Sequence, residues 1–315
     1  FFAFGTIQDC GHARNFAAIW QCIVSFAFNA FSCQRSIIVF CNDHKLLLYS
    51  KPQTRSINIS MNLLVSGCSF TQWPQYPGGP NTCWPRYLQQ SNPSWTVTNI
   101  GEPGAGNQYI SDSVVRHILE NPTIKYDHVL VMWTGVSRLD YLTSLEDPAW
   151  AELYNSYGFC RRVDACPEKL GYIFSGGQMG TWFNNRVSEP LFRDLYKVSS
   201  PLSLATINVM EMIKLQNFLE NQQLNYNFMS YVNYWGTGDH VSPNGDFGVG
   251  KFPEMKNLLN SIKWDCWIFT NQEQDGLYEL GLAQQDFEED GFHPGSVTHQ
   301  QWAATVDQRL TMSEI

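Results

Sequence analysis

One run of residues narrows the folds open to this chain: His128-Val129-Leu130-Val131-Met132-Trp133 is apolar at every position after the first. A strand with one wet face alternates apolar and polar residues, whereas an unbroken run of this length fits a strand covered on both faces of a parallel sheet. Neighbouring segments fit the same sheet. Leu63-Leu64-Val65-Ser66 is a short apolar strand, and Trp95 to Ile100 alternates and is rich in strand formers. Between and after them come helices: Pro85 suits a first helical turn, and Ile110, Val114, Val115, Ile118 and Leu119 share one face. Ser200-Pro201 opens a long helix with Leu204, Ile207, Met212, Leu215 and Leu219 at helical spacing. Asn227 to Val232 is a predicted fourth strand, Pro253 to Ile262 a helix, Trp264 to Phe269 a fifth strand, and Ser296 to about Leu310 the last helix. Residues 138–200 break the rhythm with mixed aromatics, glycines and charges, and are read as an insertion with short helices. Strands alternating with helices imply an α/β protein with a doubly wound parallel sheet.

Composition excludes several roles. With 43% hydrophobic and 16% charged residues, 315 residues are enough for a sizeable core. A formal charge of -9 opposes a nucleic-acid binder, which needs surplus Lys and Arg to displace counterions from phosphates. Nine cysteines are scattered without a Cys-X-X-Cys pair, so no zinc site and no dense disulfide framework is expected; Cys160 and Cys166 are close enough to close a small loop.

The first sixty residues differ from the rest: all eight methionines lie at or after Met61. Two readings compete for residues 1–60. In one, the mostly apolar segment 16–33 is a membrane anchor or incomplete signal. In the other, which is favoured, the natural start is Met61 and the upstream residues are an extension outside the natural protein, leaving a domain over 61–315 with no export signal and favouring the cytoplasm.

Chemistry-bearing loops fall where the strands end. In open α/β sheets, ligands bind beyond the carboxyl ends of the strands. Gly67-Cys68-Ser69-Phe70-Thr71 follows the first strand, Gly101 to Asn107 the second, Thr134 to Arg138 the third, and Asp290-Gly291-Phe292-His293 the fifth. Acyl transfer by serine needs a base for the hydroxyl proton, a carboxylate to orient the base, and donors for the developing oxyanion. Ser69 is the candidate nucleophile, with Gly67 allowing a sharp turn. Asp290 and His293, three residues apart, can pair within one loop. Gly104 can bring a backbone N–H close to a reacting carbonyl. The side chain of Cys68, the adjacent alternative, should point the other way.

These motifs resemble those of a known family. Gly-Cys-Ser-Phe-Thr at 67–71, Asn-Ile-Gly-Glu-Pro-Gly at 99–104 and Asp-Gly-Phe-His-Pro at 290–294 look like the first, second and fifth blocks of the SGNH, or GDSL-type, hydrolases. The resemblance implies a flavodoxin-like three-layer fold with a central parallel sheet of about five strands. It implies Ser69 as nucleophile, His293 as base and acid, Asp290 as orienter, and the Ser69 and Gly104 N–H groups as oxyanion donors. It also implies a small acyl ester as substrate, an O-acetyl group on carbohydrate for instance, with abundant Trp and Tyr suited to stacking on sugar rings. No cofactor or metal is called for. The chain departs from the family in two places. Cys68 stands where an Asp is usual, and the third block, usually Gly-X-Asn-Asp with an Asn oxyanion donor, reads Thr134-Gly135-Val136-Ser137-Arg138. Thr134, Arg138 or Asn107 are the candidates to fill that gap, Arg138 also as a substrate contact. Loss of one such donor costs about 2.7 to 4 kcal/mol of transition-state stabilisation, so the competing reading is a catalytically impaired member acting as a carbohydrate-binding or structural protein.

Two further patterns are set aside. Gly245 to Lys251 spells most of a phosphate loop, but Phe252 stands where a Ser or Thr must hold magnesium. Asp239, His240 and Asp246 match no standard metal spacing.

Overall fold

A computed structural model describes residues 36–40, 46–50, 60–72, 83–156, 160–163, 166–176, 189–238, 241–242 and 246–312. The chain divides into two compact units, 1–58 and 59–315. In the first, β1 (Ser36–Phe40) and β2 (Leu46–Ser50) form an antiparallel pair running from Ser36↔Ser50 to Phe40↔Leu46. The anchor reading of residues 16–33 lies outside the described residues. Among those described, no helix is long and apolar enough to cross a membrane.

The second unit is built on a four-stranded parallel sheet. Its strands are β3 (Asn62–Ser66), β4 (Thr96–Asn99), β5 (His128–Trp133) and β9 (Tyr226–Ser230), in the order β4-β3-β5-β9. The two inner strands are the unbroken apolar ones, and Leu63, Leu64, Val65 and Val129 to Trp133 are fully buried, as an interior strand requires. The connections reverse direction at β3. Helix α1 (Trp84–Ser91) carries the chain outward to β4, while α2 (Asn107–Glu120) returns it past β3 to β5. Right-handed crossovers therefore place α1 and α2 on opposite faces, and the switch point opens at the carboxyl ends of β3 and β5.

Helix α5 (Pro201–Asn221) begins as its sequence predicts. The Ser200 hydroxyl accepts from the Ser203 N–H, and Pro201 occupies the first turn, where no donor is missed. It packs beside α2, and the buried Asn208 on α5 donates to the Val136 carbonyl oxygen at 2.9 Å. On α8 (Ser296–Met312), Trp302 is buried and its indole N–H points at Met229 Sδ. Helix α8 also packs against α1 and against α7 (Leu277–Gln284), which a tight turn connects to the last loop.

Three expectations need correction. The predicted fifth strand does not form: Trp264–Cys266 is a 3₁₀ turn, and only Trp267 meets the sheet, in a single parallel bridge to Phe228. Trp235, Trp264 and Trp267 pack edge to face there, so this aromatic run covers the sheet edge without extending it. Residues 253–262 make only a 3₁₀ turn, Pro253–Met255, and the short α6 (Lys256–Leu259). The insertion is not purely helical. It holds an antiparallel sheet of β6 (Asp140–Ser144), β7 (Cys160–Arg162) and β8 (Leu170–Phe174), ordered β6-β8-β7, with α3 (Pro148–Ser156) and α4 (Glu189–Val198). Its own small core joins Leu153, Tyr154, Ile173 and Phe192. Cys160 and Cys166 are not joined by a disulfide, so the small loop is not closed.

The two kinds of contact separate in energy. Leu130→Ala, in the fully buried centre of β5, should destabilise the protein by about 2–5 kcal/mol, whereas Ser200→Ala should cost about 1 kcal/mol through the lost cap. Denaturant titration of both variants checks the ranking.

Candidate active site

The turn after β3 is tight for a reason different from the one its glycine suggests. Gly67 has no left-handed backbone angle. A side chain there would place Cβ 2.2 Å from Thr71 Oγ1 and 3.0 Å from the Met132 carbonyl oxygen. It is crowding that requires glycine. Thr71 N–H and Gln72 N–H both donate to the Cys68 carbonyl oxygen, at 2.8 and 3.0 Å, closing the turn around Ser69. Cys68 is fully buried, as the strand alternation predicts.

Asp290 and His293 form a self-contained loop. The Asp290 Oδ1 accepts from the Phe292 and His293 N–H groups at 2.8 and 2.9 Å, and Oδ2 accepts from His293 Nδ1 at 2.5 Å. Gly291 supplies the left-handed residue the turn needs, at φ +67°. Phe287 bridges to Pro294, and Glu288 N–H donates to the His293 carbonyl oxygen, sealing the base of the loop. Burial works to raise the Asp290 carboxyl, but the donors from His293 and Phe292 outweigh it and hold the group down at about 2. An ionised carboxylate can only accept, so Nδ1 carries the imidazole proton and Nε2 is left as an acceptor. It faces Ser69 Oγ at 2.8 Å. The imidazole is braced by two aromatic rings, Phe70 and Phe292, with centroids 5.0 and 5.1 Å away.

The second loop is stitched to the first. Glu102 N–H donates to the Gly67 carbonyl oxygen at 2.9 Å, and Asn99 Nδ2 reaches the Thr71 carbonyl oxygen at 3.0 Å. Gly104 adopts φ +81°, a conformation that favours glycine. Among the described residues, no hydrogen bond engages the backbone N–H of Ser69 or of Gly104.

The three candidates for the missing amide donor separate. Asn107 is spent: its Nδ2 donates to the Thr134 carbonyl oxygen at 3.1 Å and to Asn208 Oδ1 at 2.8 Å, while its Oδ1 accepts from Thr134 N–H at 2.8 Å. Both amide hydrogens are committed, one to the third loop and one to α5, which removes Asn107 as an oxyanion donor. Thr134 is fully buried, and its Oγ1 has no partner among the described residues. Arg138 is 5% exposed, which also argues against the simple role of surface substrate contact. Its Nη1 donates to the Ala105 carbonyl oxygen at 3.1 Å, its guanidinium lies 5.9 Å from the Tyr231 ring centre, and its Nε is buried without a partner among the described residues.

Two carboxylates that sequence reading left without a role organise this loop. Asp246 is fully buried and accepts from Ser137 N–H at 3.1 Å, Ser137 Oγ at 2.7 Å, Ser242 Oγ at 2.7 Å and the Tyr231 hydroxyl. Gly135 packs onto it so closely that a Cβ would fall 2.1 Å from Oδ1. Asp140 accepts from Gly106 N–H at 2.7 Å and Tyr109 N–H at 2.8 Å. Burial pushes Asp140 up to about 7, against these backbone donors and the nearby Arg138. Arg138 loses stabilisation of its charge by burial, but surrounding groups, Asp246 and Asp140 among them, more than restore it, so the guanidinium stays cationic. Asp239 and His240 lie outside the described residues.

Among the described residues, most tryptophans are packed in the core and cannot serve as a sugar platform. Trp84, Trp133 and Trp302 are fully buried, and Trp95, Trp235 and Trp267 nearly so. Trp73 and Trp182 lie outside the described residues.

No protein-family model matches the chain, and no curated protein does. Among solved structures, the chain is similar to an acetyl xylan esterase, AlAXEase (11% identity, 79% of this chain and 99% of that one, TM-score 0.42). It is also similar to a member of the lipolytic protein G-D-S-L family from Veillonella parvula DSM 2008 (15%, 80% and 98%, TM-score 0.38). A third is a catalytic mutant of Axe2, an acetylxylan esterase from Geobacillus stearothermophilus (13%, 79% and 94%, TM-score 0.39).

The Asp290 loop carries a pH signature. The Asp290 carboxyl ordinarily titrates at 3.8 and is held at about 2 in the folded chain. Its contribution to stability is therefore present above the unfolded value and lost as pH falls through the folded one. Asp290→Asn should be less stable than the parent above about pH 4, with the difference shrinking toward pH 2. Thermal melts of both proteins across that window test it; a difference that does not change with pH contradicts the assignment.

Proposed function

We propose that this chain is a serine ester hydrolase of the SGNH type. The observation that carries the reading is the hydrogen-bonded series from Ser69 Oγ to His293 Nε2 at 2.8 Å and from His293 Nδ1 to Asp290 Oδ2 at 2.5 Å. In this order each group has the protonation state that acyl transfer requires. Ser69 Oγ attacks the ester carbonyl as His293 Nε2 takes its proton. The resulting imidazolium is stabilised by Asp290, which holds the ring in the needed tautomer without itself taking the proton. The tetrahedral intermediate places its oxyanion at the Ser69 and Gly104 N–H groups, both unspent within the described residues. Collapse expels the alcohol, which receives the proton from His293. Water then attacks the acyl-Ser69 with His293 as base, releasing the carboxylic acid and restoring the serine.

The substrate reading is a small acyl ester. O-acetylated carbohydrate is the class proposed for the natural ester. A Ser69 beyond reach of His293, or a cleft filled by the insertion, would favour the impaired reading; the 2.8 Å contact speaks against the first of these.

Ser69→Ala should lower kcat on p-nitrophenyl acetate by several orders of magnitude, as loss of the nucleophile does in serine hydrolases. Acetate release from a peracetylated sugar should fall in parallel. Equal rates for parent and Ser69→Ala would sink the proposal.

A further inference from the structure

Arg138 and Asp140 stand two residues apart and act on one peptide group. Arg138 Nη1 donates to the Ala105 carbonyl oxygen at 3.1 Å, and Asp140 Oδ1 accepts from Gly106 N–H at 2.7 Å. Those are the two ends of the same planar unit. Asp140 Oδ2 also accepts from Tyr109 N–H at 2.8 Å, which caps α2 from outside because the cap residue, Gly106, has no side chain. A Cβ at 106 would lie 2.7 Å from Asp140 Oδ2, so the carboxylate sits where only glycine leaves room. Gly104, at φ +81°, is the residue just before the gripped unit.

The grip is anchored at its far end. Asp246 fixes Ser137, the residue before Arg138, through both N–H and Oγ, and Tyr231 links the Asp246 carboxylate to the ring beneath the guanidinium. Stability does not call for this arrangement. A buried guanidinium whose Nε has no partner among the described residues is a poorer core component than an apolar side chain of the same volume.

We propose that Arg138 and Asp140 are positioning residues that clamp the Ala105–Gly106 peptide and thereby fix the direction of the Gly104 N–H toward the acyl oxygen. The clamp supplies by rigid placement what the chain lacks as a third-block amide. It rests on the esterase reading.

The test is a double-mutant cycle on p-nitrophenyl acetate hydrolysis with Arg138→Met, Asp140→Asn and the pair. Asparagine keeps the shape but offers one acceptor oxygen to two N–H groups. Each single variant should lower kcat by at least about tenfold, short of the roughly hundred- to thousandfold loss of a whole oxyanion donor. KM should stay within about twofold, because the lost interaction is felt in the transition state. The pair should be no worse than the poorer single variant, since both act through one peptide. Arg138→Lys, whose ammonium retains a donor for Ala105, should recover part of the loss. Raised KM with unchanged kcat in Arg138→Met, independent multiplying effects, or parental kcat in Asp140→Asn would each overturn the clamp. Near-UV circular dichroism checks folding, and if Arg138→Met fails it, Asp140→Asn decides alone. A Ser69→Ala arm separates the two failures: full activity there removes the esterase reading, while an inactive Ser69→Ala beside fully active clamp variants removes only the clamp.

Discussion

A 2.8 Å hydrogen bond between Ser69 Oγ and His293 Nε2 spans 224 positions of chain, and the rest of the second unit is arranged so that it can form. Ser69 is held by a turn that tolerates nothing larger than glycine at 67, at the end of a strand buried on both faces. His293 is held by a loop that closes on itself through Asp290 and is braced by Phe70 and Phe292. The two meet because β3 lies at the switch point of the sheet, where connections diverge to opposite faces and leave a crevice at the strand ends.

Rigidity around that crevice comes from buried polar groups that tie several loops together. Asn107 joins the second loop, the third loop and α5 through three hydrogen bonds. Asp246 gathers Ser137, Ser242 and Tyr231. Networks of this kind specify one arrangement of loops, since each alternative strands a buried donor or acceptor. Among the described residues, buried atoms left without a partner at the strand ends include Thr71 Oγ1 in the nucleophile turn, Ser230 Oγ at the end of β9, and Thr134 Oγ1 and Arg138 Nε in the third loop.

How much of this was readable depended on sequence distance. Asp290 and His293 are three residues apart, so their pairing is local chemistry that a sequence displays. The parallel sheet was legible for a similar reason, because residues 128–133 and 63–65 declare their burial without reference to any partner. Arg138 and Asp140 bond to residues 33 and 34 positions away, and Asp246 to one 109 away, so their roles depend on loops meeting in space. Six tryptophans show the limit of composition as a guide: an abundance of aromatics suggested a binding surface, and among the described residues packing took these six into the core. Residues 264–269 misled because a short aromatic run fits either a strand or a packed turn, and here Trp267 alone reaches the sheet.

The central claim is that Ser69, and not the neighbouring Cys68, carries the acyl group. Mass spectrometry of peptides from protein quenched in acid during turnover of p-nitrophenyl acetate tests it most directly. An acetyl adduct on Ser69 that disappears in Ser69→Ala is the expected result; an adduct on Cys68, or hydrolysis that proceeds undiminished in Ser69→Ala, would contradict the account.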